Sequence, residues 1–184
     1  MTVDDTLVAV RAAVESARDA LRARFNRVLP AGEYMGDRWQ KARELGFGDG
    51  TSIYDASYVF GDVRVGKHTW IGPFTILDGS GAPLVIGDHC SISAGVQIYT
   101  HDTVDWAVRD GSKLVGAVHI GNNCYIGPAV VIARGVTIGD GAVIGANSFV
   151  NHDITAQARA WGSPCRVQPG NQDEASGTGA GHDT

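Results

Sequence analysis

Residues 120–150 read Ile120-Gly-Asn-Asn-Cys-Tyr-Ile126-Gly-Pro-Ala-Val-Val-Ile132-Ala-Arg-Gly-Val-Thr-Ile138-Gly-Asp-Gly-Ala-Val-Ile144-Gly-Ala-Asn-Ser-Phe-Val150. An aliphatic residue returns at every sixth position. The same register runs upstream through Ile53, Val59, Val65, Ile71 and Leu77, and, after a three-residue interruption, through Ile86, Ile92 and Ile98. Gly follows the aliphatic in seven of these fourteen hexads, as at Gly66, Gly72, Gly127 and Gly145. The fifth position is small or β-branched in eleven, as at Ser57, Thr69, Cys90, Cys124 and Ser148. Neither the helical period of 3.6 nor the strand period of 2 produces this pattern. A strand-and-corner unit of six residues does. The spacing predicts a prism in which three hexads close one triangular coil and successive coils stack as parallel strands. The aliphatic fills the interior. The Gly or small residue after it turns the corner. The fifth position is compact because walls converge there. Such a stack is stabilised coil by coil, and its ends need caps.

Composition agrees with many tight corners: glycine supplies 25 of 184 residues, well above the usual share of about 7%. The net charge of −5 gives no general pull toward nucleic acid or anionic lipid. No apolar run is long enough to span a membrane, and the charged start at Asp4 lacks the apolar segment of a signal peptide. Cys90, Cys124 and Cys165 stand at wide spacings that form neither a disulfide framework nor a CxxC metal site. Cys90 and Cys124 fall at the buried fifth position and read as core residues. A cytoplasmic protein with reduced thiols and no metal is expected.

Residues 1–52 read as an N-terminal amphipathic helix and linker. Val3, Leu7, Val10, Val14, Ala17, Leu21, Phe25 and Val28 follow 4,3 spacing and predict a helix over 3–28, a packing or oligomer-contact element ended by Pro30 and Gly32. A second short helix is expected around Arg38–Leu45. Residues 53–168 form the prism. The tail, 169–184, is almost devoid of apolar residues and is expected to be disordered. Two stretches break the hexads: Asp78–Pro83, a turn-rich bulge at one corner, and Tyr99–Val118, an extruded loop with His101 at its root and Trp106 inside it. A repeat fold tolerates long insertions mainly where they serve function.

The hexads, the His at the loop root and the closing Ile154…Gly162-Ser163-Pro164-Cys165-Arg166 resemble the hexapeptide-repeat acyltransferases. The nearest likeness is to the sugar and polysaccharide O-acetyltransferases. The resemblance covers about residues 53–168. It implies a left-handed parallel β-helix, although parallel crossovers ordinarily favour the right hand. It also implies acetyl-CoA as co-substrate, a homotrimer, and an active site in each cleft between neighbours.

Acyl transfer to a hydroxyl needs a base, oxyanion donors and alignment. Imidazole suits the base role near neutral pH. His68 and His89, fourth in their hexads and one coil apart on one wall, read as exposed wall residues within stacking range. His119 is expected near the loop, His152 falls in the final hexad, and His182 lies in the tail. His101 matches the family's catalytic His, which implies direct attack of the acceptor hydroxyl on the thioester. Asp102, its chain neighbour, points away on an extended segment, so a carboxylate from elsewhere or a backbone carbonyl would orient the ring. Asp78 matches an acceptor-contacting Asp of the sugar enzymes, or is a turn residue before Gly79. Trp106 either stacks on a sugar ring or pins the loop. For the donor, the resemblance implies Tyr125, Pro128, Ala146, Asn151 and His152 along the pantetheine arm. It places Arg166 against a CoA phosphate, unless that residue is an ordinary surface Arg.

The acceptor-side Asn of the galactoside enzymes aligns with an aliphatic near Ile71, and the N-terminal domain of the maltose enzymes is replaced. Both departures favour a surface-glycan precursor, such as a nucleotide sugar or lipid-linked saccharide. The competing expectations are N-acetylation of an amino sugar, acetylation of a xenobiotic, a γ-class carbonic anhydrase with zinc on His89, His101 and His119, and a non-catalytic scaffold.

Overall fold

A computed structural model describes residues 3–169. The expected disordered tail lies outside them from residue 170 onward. Helices α1 (Val3–Phe25), α2 (Gly32–Met35) and α3 (Arg38–Glu44) come first. Strands β1 (Ser52–Ile53), β2 (Tyr58–Val65), β3 (Trp70–Ile71), β4 (Ile76–Ile86), β5 (Ser91–Ile92), β6 (Gln97–Tyr99) and β7 (His101–Asp102) follow. Helix α4 (Val104–Arg109) separates these from β8 (Leu114–Val115), β9 (Val118–Ile120), β10 (Tyr125–Ile126), β11 (Val131–Ile132) and β12 (Thr137–Ile138). The chain ends through β13 (Val143–Ile144), β14 (Phe149–Val150), β15 (Arg159–Trp161) and β16 (Arg166–Val167).

Three parallel walls enclose the aliphatic series. In the first, Ile53 pairs with Ile71, Ile71 with Ile92, Ile92 with Ile126, and Ile126 with Ile144. In the second, Val59 pairs with Leu77, Leu77 with Ile98, Ile98 with Ile132, and Ile132 with Val150. In the third, Val65 pairs with Ile86, Ile86 with Ile120, and Ile120 with Ile138. All of these are buried except Val59, which is half-buried. Each fully buried Ile contributes roughly 1.5–3 kcal/mol relative to exposure.

Two details differ from the sequence expectation. The residue that turns each corner is the fourth of the hexad, not the Gly in second place. His68, Phe74, His89, Gly95, Asn123, Ala129, Gly135, Gly141 and Asn147 all have positive φ. The second-position Gly answers a different need, close backbone approach. A Cβ on Gly127 would lie 2.7 Å from the Ala146 nitrogen, and one on Gly121 2.7 Å from the Asp140 nitrogen. The fifth position is compact, as expected, and it also donates to the next coil. The hydroxyls of Ser57 and Thr69 donate to the carbonyls of Gly72 and Gly87, and the thiols of Cys90 and Cys124 to those of Gly121 and Gly139. The cysteines are therefore small donors in a ladder. Contact with Cys124 and burial push the Cys90 thiol up, away from the thiolate that a nucleophile requires.

The first interruption is a bulge at the corner between walls two and three, as expected, but it is carried within a strand. Asp78–Pro83 lies inside β4, which runs from wall two to wall three and pairs with β2 through Ile76–Gly79 and again through Leu84–Ile86. The register shifts between Gly61 and Val63, so the two long strands absorb the extra residues together. At the far end β16 turns back antiparallel on β15 and covers the last edge of wall one. Helix α3 matches the expected short helix; Lys41 donates to the carbonyls of Tyr54, Asp55 and Ser57 and ties it to the first corner. Helix α1 stops at Phe25, short of Val28, and none of its residues is buried.

Candidate active site

The second interruption is a small folded hairpin rather than a bare loop. β7 pairs antiparallel with β8, His101 opposite Val115, and α4 lies between them. Thr100 fixes where it leaves wall two. Its hydroxyl donates to the Asp78 carbonyl at 2.8 Å and accepts from the Gly81 and Ala82 amides at 3.2 Å. Thr100 is fully buried. Gly81 makes the crossing possible: a Cβ there would sit 2.6 Å from the His101 Cβ.

This crossing brings β4 and the hairpin root together. Asp78 is only 8% exposed. Its Oδ1 accepts from the Ser80 amide at 2.9 Å and from the Ser80 hydroxyl at 2.6 Å. Its Oδ2 faces His101 Nδ1 at 3.6 Å. That nitrogen is buried and makes no hydrogen bond. The Asp78 side chain thus holds the turn through Ser80 with one oxygen and faces the imidazole with the other. Burial, with the Asp78 charge, pushes the Tyr99 phenol up and keeps it neutral. Tyr99 donates to Gln97 Oε1 at 2.8 Å.

Asp102 points elsewhere, as its place next to His101 on a strand requires. It accepts from Arg134 Nε, one coil below. That hydrogen bond holds the Asp102 carboxyl below the usual carboxylate range. Trp106 stands on α4 with 65% of its surface exposed, so it does not pin the hairpin. Thr100, Ser80, Gly81 and Arg134 were not anticipated. Gly81 carried a signal, as a glycine inside an interruption; Arg134 meets a partner 32 residues away and carried none.

The donor-side candidates fall on two edges of the prism. Pro128 and Ala146 are exposed on the edge between walls one and two, where the Asn147 amide donates to the Pro128 carbonyl at 2.9 Å. Tyr125 is 43% exposed on wall one. Asn151 and His152 continue from Val150 onto the edge between walls two and three, two coils below His101. The His152 ring meets Asn151 Oδ1 at 3.1 Å. Arg166 is exposed on β16, and its guanidinium donates to the Cys165 carbonyl at 2.7 Å. One copy of the chain does not gather these residues around His101.

The other histidines lie apart from this site. His68 and His89 stack with ring centroids 4.9 Å apart at the corner between walls three and one. His119 follows the hairpin by four residues and faces out of wall three between Val85 and Thr137. His89, His101 and His119 therefore do not converge. Among the described residues no group of three or more His, Cys, Asp or Glu could hold a metal ion. No described helix is long and apolar enough to cross a membrane.

Residues 117–152 match the family profile for the bacterial transferase hexapeptide (six repeats). The galactoside O-acetyltransferase of Escherichia coli K12 is 43% identical over 109 residues, covering 58% of this chain and 53% of that enzyme. The chain thus spans about half the length of the curated relatives it matches. The structure of a maltose O-acetyltransferase from Clostridium difficile 630 is similar at 29% identity and a TM-score of 0.57, covering 87% of each chain. A hexapeptide-repeat acetyltransferase from Vibrio cholerae, solved with acetyl coenzyme A, is similar at 27% identity and a TM-score of 0.54, covering 88% of this chain and 89% of that one. By its repeat, its match over residues 117–152 and its relatives, this chain is similar to the hexapeptide-repeat transferases.

Proposed function

We propose that this chain transfers an acetyl group from acetyl-CoA to a hydroxyl of a sugar or surface-glycan precursor, with His101 as general base. The observation that carries this is buried Asp78 facing the buried Nδ1 of half-buried His101 at the hairpin root. A carboxylate facing Nδ1 favours the tautomer with its proton there, which leaves the Nε2 lone pair to act. At 3.6 Å the pair is longer than a hydrogen bond, and a bound substrate would tighten it. Nε2 takes the acceptor hydroxyl proton as its oxygen attacks the thioester carbonyl. As the C–S bond breaks, the imidazolium returns that proton to the departing thiolate. No acyl-enzyme is required, in keeping with thiols that serve as core donors.

Asp78 is assigned to orienting His101, and through Ser80 it borders the acceptor. Trp106, exposed beside the hairpin, offers a ring face to a sugar. Tyr125, Pro128, Ala146, Asn151, His152 and Arg166 are assigned to the donor. Small Ala146 admits a slim arm close to backbone, and Arg166 is placed to pair with a phosphate. Their division between two edges supports a homotrimer in which neighbouring prisms complete each cleft. Left-handed winding belongs to the same reading. The galactoside and maltose relatives support a sugar acceptor, and the complex of the Vibrio cholerae relative supports acetyl-CoA as donor.

The test is release of free CoA thiol from acetyl-CoA across galactosides, nucleotide sugars and amino sugars, with a parallel melting curve. Sugar-dependent release and a donor-induced rise in melting temperature are expected. Release only with amino sugars would move the reaction to nitrogen. Neither release nor a rise would leave a scaffold.

A further inference from the structure

We propose that α1 pairs with α1 of a second copy of this chain, antiparallel, about a two-fold axis. The proposal is independent of the enzymatic reading. Helix α1 is 23 residues long and has no buried residue. Most helical stability in proteins comes from packing an apolar face, and α1 meets chiefly the short α2, with Arg18 over the Tyr34 ring, so its apolar face is largely unpacked. Its apolar residues are not spread over a broad face. Val3, Leu7, Val10, Val14, Ala17 and Leu21 alternate steps of four and three, the heptad seam of a coiled coil. Val3, Leu7 and Val10 are 77%, 51% and 42% exposed, and Val14, Ala17 and Leu21 are half-buried, so the seam is open along its first half and only partly covered beyond it.

Charge decides the direction. The first turn carries Asp4 and Asp5, and the last turn Arg22 and Arg24. A parallel bundle would gather the acids at one end and the arginines at the other. An antiparallel pair sets each acidic turn beside the partner's basic end. The seam is also symmetric about its middle. Reversed on itself, it places Val3 against Leu21, Leu7 against Ala17 and Val10 against Val14 of the partner helix. Asp4 then stands level with the partner's stretch that holds Arg18 and Arg22. Ala13 and Ala20 flank the seam on its other side, where small residues let the helices approach closely. If the prisms also associate in threes, such pairs join two trimers.

Light scattering on the full chain, with and without Leu7→Glu/Leu21→Glu, tests this. Both positions lie outside the prism, so acetyl transfer should be unchanged, and the helical far-UV circular dichroism should weaken as the unpaired α1 frays. The mass is expected to fall to half that of the parent; an unchanged mass overturns the pairing. Orientation is read by oxidation of single variants, against native cysteines that are all buried. Ala13→Cys should cross-link two chains, because position 13 faces itself near the two-fold axis. Leu7→Cys should not, because it faces Ala17. Failure of Ala13→Cys to link, or equal linking of Leu7→Cys, overturns the antiparallel arrangement.

Discussion

Asp78 and His101 stand on separate strands, and their meeting depends on small neighbours. Thr100 anchors the crossing and Gly81 leaves room for it. Replacing Asp78 with Asn keeps the shape and removes the charge facing Nδ1. On the reading above, kcat should fall roughly tenfold or more, with little change in KM for acetyl-CoA and an unaltered melting temperature. A proportional rise in acceptor KM alone would return Asp78 to acceptor contact. A second residue-scale contrast separates the two kinds of corner position. Gly127→Ala forces a Cβ against the Ala146 backbone and should destabilise by about 1–3 kcal/mol. Ala129 holds φ at 55°, so Ala129→Gly should stabilise by about 1 kcal/mol. Urea midpoints of the two variants should move in opposite directions. The hexads alone suggested that the glycine turned the corner. Spacing marks a constrained position, but does not say whether sterics or φ imposes the constraint.

At the scale of elements, the hairpin β7–α4–β8 is tied to the prism by the Asp102–Arg134 pair. Its carboxyl is depressed in the folded chain, chiefly by the Arg134 hydrogen bond. A depressed carboxyl lends stability above its unfolded pKa and loses it as pH falls through the folded value. Both groups are exposed to water, so the effect is local. The protection of the Ala107 amide, which bonds to the Thr103 carbonyl, relative to its intrinsic exchange rate should fall as pH is lowered through and below the ordinary carboxylate range. Asp102→Asn should show that lower protection at neutral pH. A pH-independent protection in the parent would contradict the clasp. The breaks in the repeat were legible; their structures were not. Asp78–Pro83 is held within a strand because β2 pairs with β4 on both sides of the bulge, and that flanking pairing leaves no mark in hexad spacing. The hairpin's α4 is six residues long, too short for a periodic signature.

At the scale of the molecule, the repeat made the prism readable because each coil needs only its neighbours. The core it implied is the core observed. The site was less readable, since its proposed parts lie on different edges of the prism. His101 stood out by its place at a break, whereas Arg134 sits in a regular hexad with no sign of its role. The account rests on His101 as base, and the most direct measurement is acetyl transfer from acetyl-CoA by His101→Ala beside the parent. With melting temperature and donor-induced stabilisation retained, the account predicts a fall in kcat of about 10²–10⁴-fold. A variant that keeps most of the parent's turnover would contradict it.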